Sequence, residues 1–248
     1  MQCIFCKERS DDSKSIEHIV PESLGNREHV LPKGIVCDTC NSYFGIKIEK
    51  EVLAQGYFKY MRHIQDIETK RGNLVPGAGI IAHPHGGKVE IYKEESGLSI
   101  NVSSDILRLV ATGQVNKLYI PHYEQPFSNN LPLSRLLGKM AVEALVHRLM
   151  PAEGWEAEIV DKAELDPLRK YVRHGPGKIK FWPYHQRVLY SPDDDILHEF
   201  TFHYSEAEGL FFIIVIFGVE YAINMGGPEI ESYLEELKKR GGKSFLSD

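Results

Sequence analysis

The stretch "SIEHIVPESLGNREHVLPKGIVCDTCN" (residues 15–41) combines an adjacent acid and imidazole, Glu17 and His18, with the second of two Cys-x-x-Cys pairs. The chain has no cysteines outside these pairs, which are Cys3, Cys6, Cys37 and Cys40. In a reducing cytoplasm, two pairs at this spacing predict a tetrahedral zinc site and not disulfides. A redox pair and buried structural cysteines are the alternatives.

The composition is ordinary for a globular protein, with 42% hydrophobic and 26% charged residues among 248 and a net charge of −6. No apolar run approaches the roughly 18 residues that a membrane span needs, because Gly218 and Glu220 interrupt the densest one, at 209–223. The first residues lack the apolar core of a signal peptide. We therefore expect a cytoplasmic protein without a membrane partner.

The pattern along the chain predicts an α+β protein. Helical periodicity is found at 41–55, 103–117, 134–150, 162–175 and 227–240, and β patterns at 80–102 and 179–225. We predict a zinc-stabilised module at 1–56, a linker or docking segment at 57–77, and an α+β accessory domain with an antiparallel sheet at 78–248. We expect that domain to select the substrate, or to bind a protein partner or a second copy of the chain.

The residues beside the cysteines have the chemistry that phosphodiester hydrolysis requires. Glu17 offers an oxygen ligand to a divalent metal bound to phosphate. His18 offers a base whose ordinary pKa is near neutral, suited to deprotonating water. Asn41 follows Cys40 directly, so a fixed Cys40 also fixes an amide oxygen, which is a neutral hard ligand.

The pattern "C-x2-C … EHIVPESLG … IVCDTCN" resembles the HNH endonucleases of the ββα-metal fold, in the subgroup with a four-cysteine zinc, over residues 3–50. The resemblance implies that His18 is the general base and that Glu17 and Asn41 hold a catalytic Mg²⁺ or Mn²⁺. It implies that the four cysteines hold a structural Zn²⁺. It also implies a hydrolase of nucleic acid, expected to be double-stranded DNA, in a defence, restriction or mobile-element context.

Two positions depart from the family pattern. The usual acid is aspartate, and Glu17 is one methylene longer, which changes its reach but not its ligand type. The middle asparagine, which orients the base, has no clear match. Asn26 in the turn ranks first for this role, although Lys33 lies nearer the expected position. We also count Lys33 among the candidate nucleic-acid contacts.

Residues 168–187 interleave cations with aromatic rings and contain no acid. The cations are Arg169, Lys170, Arg173, Lys178, Lys180 and Arg187. Cations beside rings are typical of nucleic-acid surfaces, where they contact phosphates and stack on bases. A connection between a helix and a strand, with buried rings and solvated charges, explains the pattern equally well.

Two other function classes remain open from the sequence. One is a zinc-dependent adaptor that binds nucleic acid or protein without catalysis, in which Glu17 is solvated and His18 only packs. The other is a toxin-like nuclease that cleaves RNA. Cleavage assays on DNA and RNA that compare the unaltered chain with His18→Ala distinguish the three.

Overall fold

The computed structural model describes residues 1–69, 71–84, 86–94, 97–191 and 198–247. Two compact units divide the chain. The first comprises Met1–Glu22, Asn26–Val52 and Phe127–Asp248. The second comprises Ser23–Gly25 and Leu53–Pro126. The cysteine-containing module is therefore packed together with residues from the second half of the chain.

This division differs from the predicted boundaries at 56 and 77. The first 52 residues form hydrogen bonds and ion pairs with side chains beyond residue 130, such as the bond from Arg169 Nε to the carbonyl of Ile4 (2.7 Å). The predicted linker begins with a helix, Gly56–Ile64, that buries Phe58 and Met61. Packing at long sequence separation decides the division, and the local sequence pattern does not reveal it.

The N-terminal part of the first unit has the ββα order. Strand β1 (Glu17–His18) pairs antiparallel with β2 (Val30–Leu31), so that Glu17 lies opposite Leu31 and His18 opposite Val30. Helix α1 (Asp38–Phe44) follows, and a π-helical turn over Gly45–Glu49 connects it to α2 (Lys50–Leu53). Cys37 caps α1, because its sulfur accepts the backbone N–H of Cys40 at 3.4 Å.

The second unit is a small α+β structure. Its elements are α3 (Gly56–Ile64), β3 (Gly77–Ile81), β4 (Lys88–Glu94), β5 (Gly97–Asn101), α4 (Ser104–Ala111) and β6 (Leu118–Tyr119). The strands form one antiparallel sheet in the order β5-β4-β3-β6. Ile81, Ile106 and Val115 form its buried apolar cluster.

The remainder of the first unit is also α+β. Its elements are α5 (Leu131–Leu149), α6 (Trp155–Val160), α7 (Asp166–His174), β7 (Tyr184–Val188), β8 (His198–Ser205), β9 (Gly209–Ile216), β10 (Val219–Asn224) and α8 (Glu231–Lys239). The four strands form an antiparallel sheet in the order β7-β10-β9-β8. The predicted α+β class with antiparallel sheets is confirmed. None of the described helices combines the length and the apolar character that a membrane span needs.

Helix α5 is the central helix of the first unit. It packs against the π-helical turn, α6, α7 and β10. A side chain at Gly138 would clash with α7, because a Cβ atom there would lie 2.8 Å from Val172 Cγ2. A helix surrounded by protein is expected to be apolar on all faces. Helix α5 nevertheless buries four polar side chains, which are Ser134, Arg135, Lys139 and Glu143.

Candidate functional site

The four cysteines converge on one point. Their sulfur atoms all lie within 4.8 Å of one another, and the sulfurs of Cys6 and Cys37 are 3.7 Å apart. A tetrahedral zinc with bonds of about 2.3 Å to sulfur requires sulfurs about 3.8 Å apart. Among the described residues, this is the one group of three or more His, Cys, Asp or Glu side chains placed to share a metal. The arrangement supports zinc binding.

Hydrogen bonds to the sulfurs also fit a metal-bound cluster. The backbone N–H of Cys37 donates to the sulfur of Cys3 at 3.4 Å. A hydrogen bond from the Cys40 thiol lowers the pKa of Cys3 to about 4 and raises the pKa of Cys40, and burial raises the pKa of Cys6 to about 11. Four sulfurs so close together cannot all ionise without a cation, and a bound Zn²⁺ supplies the required positive charge.

Two arginines of α7 hold the cysteine cluster from outside the N-terminal module. Arg169 is 2% exposed and donates to the carbonyl of Ile4, to those of Ile159 and Lys162, and to Asp166. Arg173 donates to the sulfur of Cys40. Both guanidinium groups therefore donate hydrogen bonds to acceptors within the protein.

Helix α1 is connected to the strand that carries Glu17 and His18. The side-chain amide of Asn41 donates to the carbonyl of Ile16 at 3.1 Å. The carboxylate of Asp38 accepts the backbone N–H groups of Lys14 and Ser15 and the hydroxyl of Ser15, which hold its pKa below the ordinary value. These bonds place Asn41 beside the residues that precede β1, so the structure brings together three of the predicted catalytic positions.

Asn26 organises the loop between β1 and β2. Its amide donates to the carbonyls of Val20 (2.7 Å) and His29 (3.0 Å), and its oxygen accepts the backbone N–H groups of Glu28 and His29. The side chain is 2% exposed. Asn26 thus fixes both ends of the loop that joins the two strands, and these four bonds go to the backbone of the loop and not to His18.

Glu17 is buried in an ionic cluster. Its Oε1 lies 2.6 Å from Nζ of Lys139, which comes from α5. Lys139 also pairs with Glu143 (3.0 Å) and Glu49 (3.4 Å) and donates to the carbonyl of His18 (3.1 Å). Among the described residues, Oε2 of Glu17 and Oε1 of Glu143 are buried without a hydrogen-bond partner. One ammonium group therefore faces three carboxylates.

The charges of this cluster follow from burial and mutual attraction. Burial raises the pKa of Glu17 and of Glu143, and Lys139 opposes both shifts. Burial alone would lower the pKa of Lys139, but Glu143, Glu17 and Glu49 raise it above its ordinary value. The attraction of the carboxylates thus outweighs burial at Lys139, whereas burial outweighs the attraction of Lys139 at Glu17 and Glu143.

His18 lies on β1 with its backbone held on both sides. It faces Val30 in the strand pair, and its carbonyl accepts from Lys139. The side chain is half-buried, and Nδ1 has no hydrogen-bond partner among the described residues. The contacts described for His18 therefore act on its backbone.

The predicted basic stretch separates into buried and exposed parts. Arg169 and Arg173 face the cysteine module, and Arg187 is paired with the buried Glu220 at 2.7 Å. Lys170, Lys178 and Lys180 are exposed, as is Lys33. Tyr171 and Trp182 are buried and belong to the core. Three of the six cations therefore have partners within the protein, and Lys170, Lys178 and Lys180 stay candidate nucleic-acid contacts.

Sequence reasoning missed Lys139, Glu143, Glu49 and Asp38. A signal for the first two is present in "SRLLGKMAVEALVHRLM" (134–150), where a lysine and a glutamate four residues apart interrupt an apolar helical pattern. Such a pair lies on one face of a helix. Its partner at Glu17 is 122 positions earlier in the chain and has no local signature.

Residues 3–55 match the model of the HNH endonuclease family. The match agrees with the cysteine cluster and the ββα order, and it supports a nuclease-type enzyme that acts on nucleic acid. No curated protein and no solved structure matches the chain significantly.

The cysteine cluster predicts that Cys37→Ser loses zinc, unfolds the first 50 residues and abolishes activity, because so small a module depends on its metal to fold. Bound zinc is measured by atomic absorption, and unfolding by limited proteolysis. Thr39→Ala, at an exposed neighbour in α1, is the control and should retain zinc. Full zinc content and unchanged proteolysis in Cys37→Ser would contradict a four-cysteine site.

The loop predicts that Asn26→Ala lowers the free energy of unfolding by about 1–3 kcal/mol, because buried backbone groups lose their partners. Asn26→Asp keeps the two accepted bonds and loses the two donated ones, so it should also destabilise. Urea denaturation measures both. Arg27→Ala, at an exposed position in the same loop, is the control. Equal stability of Asn26→Ala and Arg27→Ala would show that the four bonds do not organise the loop.

Proposed function

We propose that this protein is a metal-dependent endonuclease that hydrolyses phosphodiester bonds, with His18 as its general base. The observation that carries the proposal is the bond from Asn41 to the carbonyl of Ile16 (3.1 Å). It joins the helix capped by Cys37 to the strand of Glu17 and His18, in a segment that matches the HNH endonuclease family. The zinc cluster, in this view, holds the reacting groups in place.

The chemistry of the chain's own residues begins at His18. Its imidazole accepts a proton from the water whose oxygen attacks phosphorus. The bond between phosphorus and the 3′ oxygen breaks, and the leaving oxygen takes up a proton from water to give a 3′ hydroxyl and a 5′ phosphate. A base must be held within hydrogen-bond reach of that water. His18 pairs with Val30, and its carbonyl accepts a hydrogen bond from Lys139. These two contacts fix the backbone of the residue that carries the imidazole.

The donor atoms available beside His18 fit a hard divalent cation. Glu17 has one oxygen held by Lys139 and a second, buried oxygen without a partner among the described residues. Asn41 uses its amide N–H, which leaves its oxygen as a neutral donor. One carboxylate and one amide, completed by substrate phosphate and water, suit Mg²⁺ or Mn²⁺. Such an ion, when bound, stabilises the negative charge that develops on the phosphate and the leaving oxygen.

The substrate surface that we propose is formed by the exposed cations of the first unit. Lys170 and Lys178 line a cavity of about 660 Å³ beside the C-terminal half of α7, together with His174. Lys180 is exposed two residues further along. The same helix contacts the cysteine cluster through Arg173. Phosphates of a bound strand would be attracted to these side chains. We propose double-stranded DNA as the substrate.

One observation favours a different function. Glu17 is engaged in a buried ionic cluster, an arrangement that would also suit a zinc-stabilised module that binds nucleic acid without cleaving it. In that case Glu17 has a structural role and His18 takes no part in chemistry. A nuclease specific for RNA retains the same site and differs in its substrate.

The proposal predicts cleavage of plasmid DNA in Mg²⁺ or Mn²⁺ by the zinc-loaded protein. His18→Ala should lower the cleavage rate by about 100-fold or more, since removing a general base costs about 10²–10⁴. An RNA of similar length is tested in parallel, and RNA cleavage alone would identify an RNA nuclease. Equal binding of DNA by both proteins without cleavage under either metal would establish the adaptor function instead.

The substrate surface predicts a weaker salt dependence of DNA binding for Lys170→Ala/Lys178→Ala/Lys180→Ala. Each lost phosphate contact should reduce the slope of log K against log salt concentration by about 0.9 on duplex DNA. Lys238→Ala/Lys239→Ala/Lys243→Ala removes three exposed lysines elsewhere in the same unit and is the matched control. Identical slopes for the two triple variants would refute this surface. Fluorescence anisotropy at several salt concentrations supplies the slopes.

A further inference from the structure

We propose that Lys139 is a positioning residue of the nuclease site, which holds Glu17 and strand β1 from a helix outside the segment that matches the family. The inference rests on the proposed function, because it assigns Glu17 to the metal and His18 to the base. Lys139 lies on α5, and the family match ends at residue 55. The active site would then depend on two distant parts of the chain.

The contacts of Lys139 converge on β1. Its ammonium group is 2.6 Å from Oε1 of Glu17 and 3.1 Å from the carbonyl oxygen of His18. Glu143, one helical turn further along α5, holds the same nitrogen at 3.0 Å. An ammonium group has three protons, and these three acceptors use them fully. Glu49 adds a longer ionic contact at 3.4 Å.

Stability alone gives no reason for a charged group at this position. The side chains of Lys139 and Glu143 are both 0% exposed, and the surrounding helix is otherwise largely apolar. Replacement of a buried ion pair by apolar residues of similar volume is often neutral or stabilising. A methionine at position 139 would fill similar space without the cost of burying a charge. The ammonium group at this position therefore points to the groups that it holds.

The two oxygens of Glu17 are distinguished by Lys139. Oε1 is held by the ammonium group, and Oε2 has no partner among the described residues. One orientation of the carboxylate is thereby selected, with one oxygen available to a metal. The bond to the carbonyl of His18 restrains the residue that carries the base. Partners that orient ligands in this way typically account for about 10–100-fold in metal affinity or activity.

The test uses the zinc-loaded full chain and the double variant Lys139→Met/Glu143→Met. The single variant Lys139→Met leaves Glu143 buried without a cation, which is strongly destabilising, whereas the double variant removes the whole pair from α5. Arg135→Met is the matched control. Arg135 is a buried cation on the same helix, and its guanidinium group donates to Tyr43 and Val172, not to β1.

Two properties are measured. Isothermal titration calorimetry gives the affinity for Mn²⁺ in the absence of nucleic acid, and plasmid cleavage gives kcat at saturating Mn²⁺. The double variant should bind Mn²⁺ about 10–100-fold more weakly, with a lower kcat, while its zinc content stays that of the unaltered protein. Arg135→Met should retain the Mn²⁺ affinity, even where its stability falls.

Unchanged Mn²⁺ affinity and kcat in the double variant would overturn the role of Lys139, and so would the absence of Mn²⁺ binding in the unaltered protein. If the unaltered protein binds Mn²⁺ but cleaves neither DNA nor RNA, the proposed function fails. The Mn²⁺ affinities of the variants still decide the role of Lys139 in that case. The two failures are therefore distinguishable.

Discussion

The N-terminal module is organised around four cysteine sulfurs that are placed to share one cation. Residues 1–41 contain two strands of two residues each, and short elements of this kind cannot hold a chain segment by backbone hydrogen bonds alone. The sulfurs lie within 4.8 Å of one another, where their charges repel unless a metal compensates them. Once they are fixed, Cys37 caps α1, and α1 in turn holds the strand of His18 through Asn41 and Asp38. The cysteine cluster is thus connected to the candidate catalytic residues through one series of contacts.

A second layer of support comes from cations in the other half of the first unit. Arg169 and Arg173 of α7 donate to Ile4 and Cys40 of the cysteine-containing module, and Lys139 of α5 donates to β1. Each places a positive group against carbonyls, sulfur or carboxylates that are shielded from water. Hydrogen bonds between charged partners are stronger than neutral ones, and their loss leaves buried groups unpaired. The module that matches the HNH family is therefore built into a larger structure.

The sequence was sufficient where the signal is local. Cysteine spacing predicted the cluster, and the resemblance to HNH endonucleases implied the ββα order. The helices at 134–150 and 162–175 were found within a few residues of their positions. The division into units was not predictable, because it depends on contacts such as that between Ile4 and Arg169, which are 165 positions apart. The basic stretch at 168–187 is a second feature whose burial the sequence could not predict. Its charges are evident from the sequence, but which of them face the interior depends on the partners of α7. The roles of Glu17, His18, Asn41 and Asn26 stay predictions.

The separation of 121 positions between His18 and Lys139 affects the time at which the site can form. During synthesis at about 5–20 residues per second, Lys139 follows His18 after roughly 6–24 s. Until then the strand of His18 lacks its bond from Lys139 of α5. An emerging chain contains the four cysteines but not the assembled site. A ribosome is surrounded by nucleic acid. Late arrival of the supporting lysine would keep a newly made nuclease inactive until at least 139 of its 248 residues have been joined.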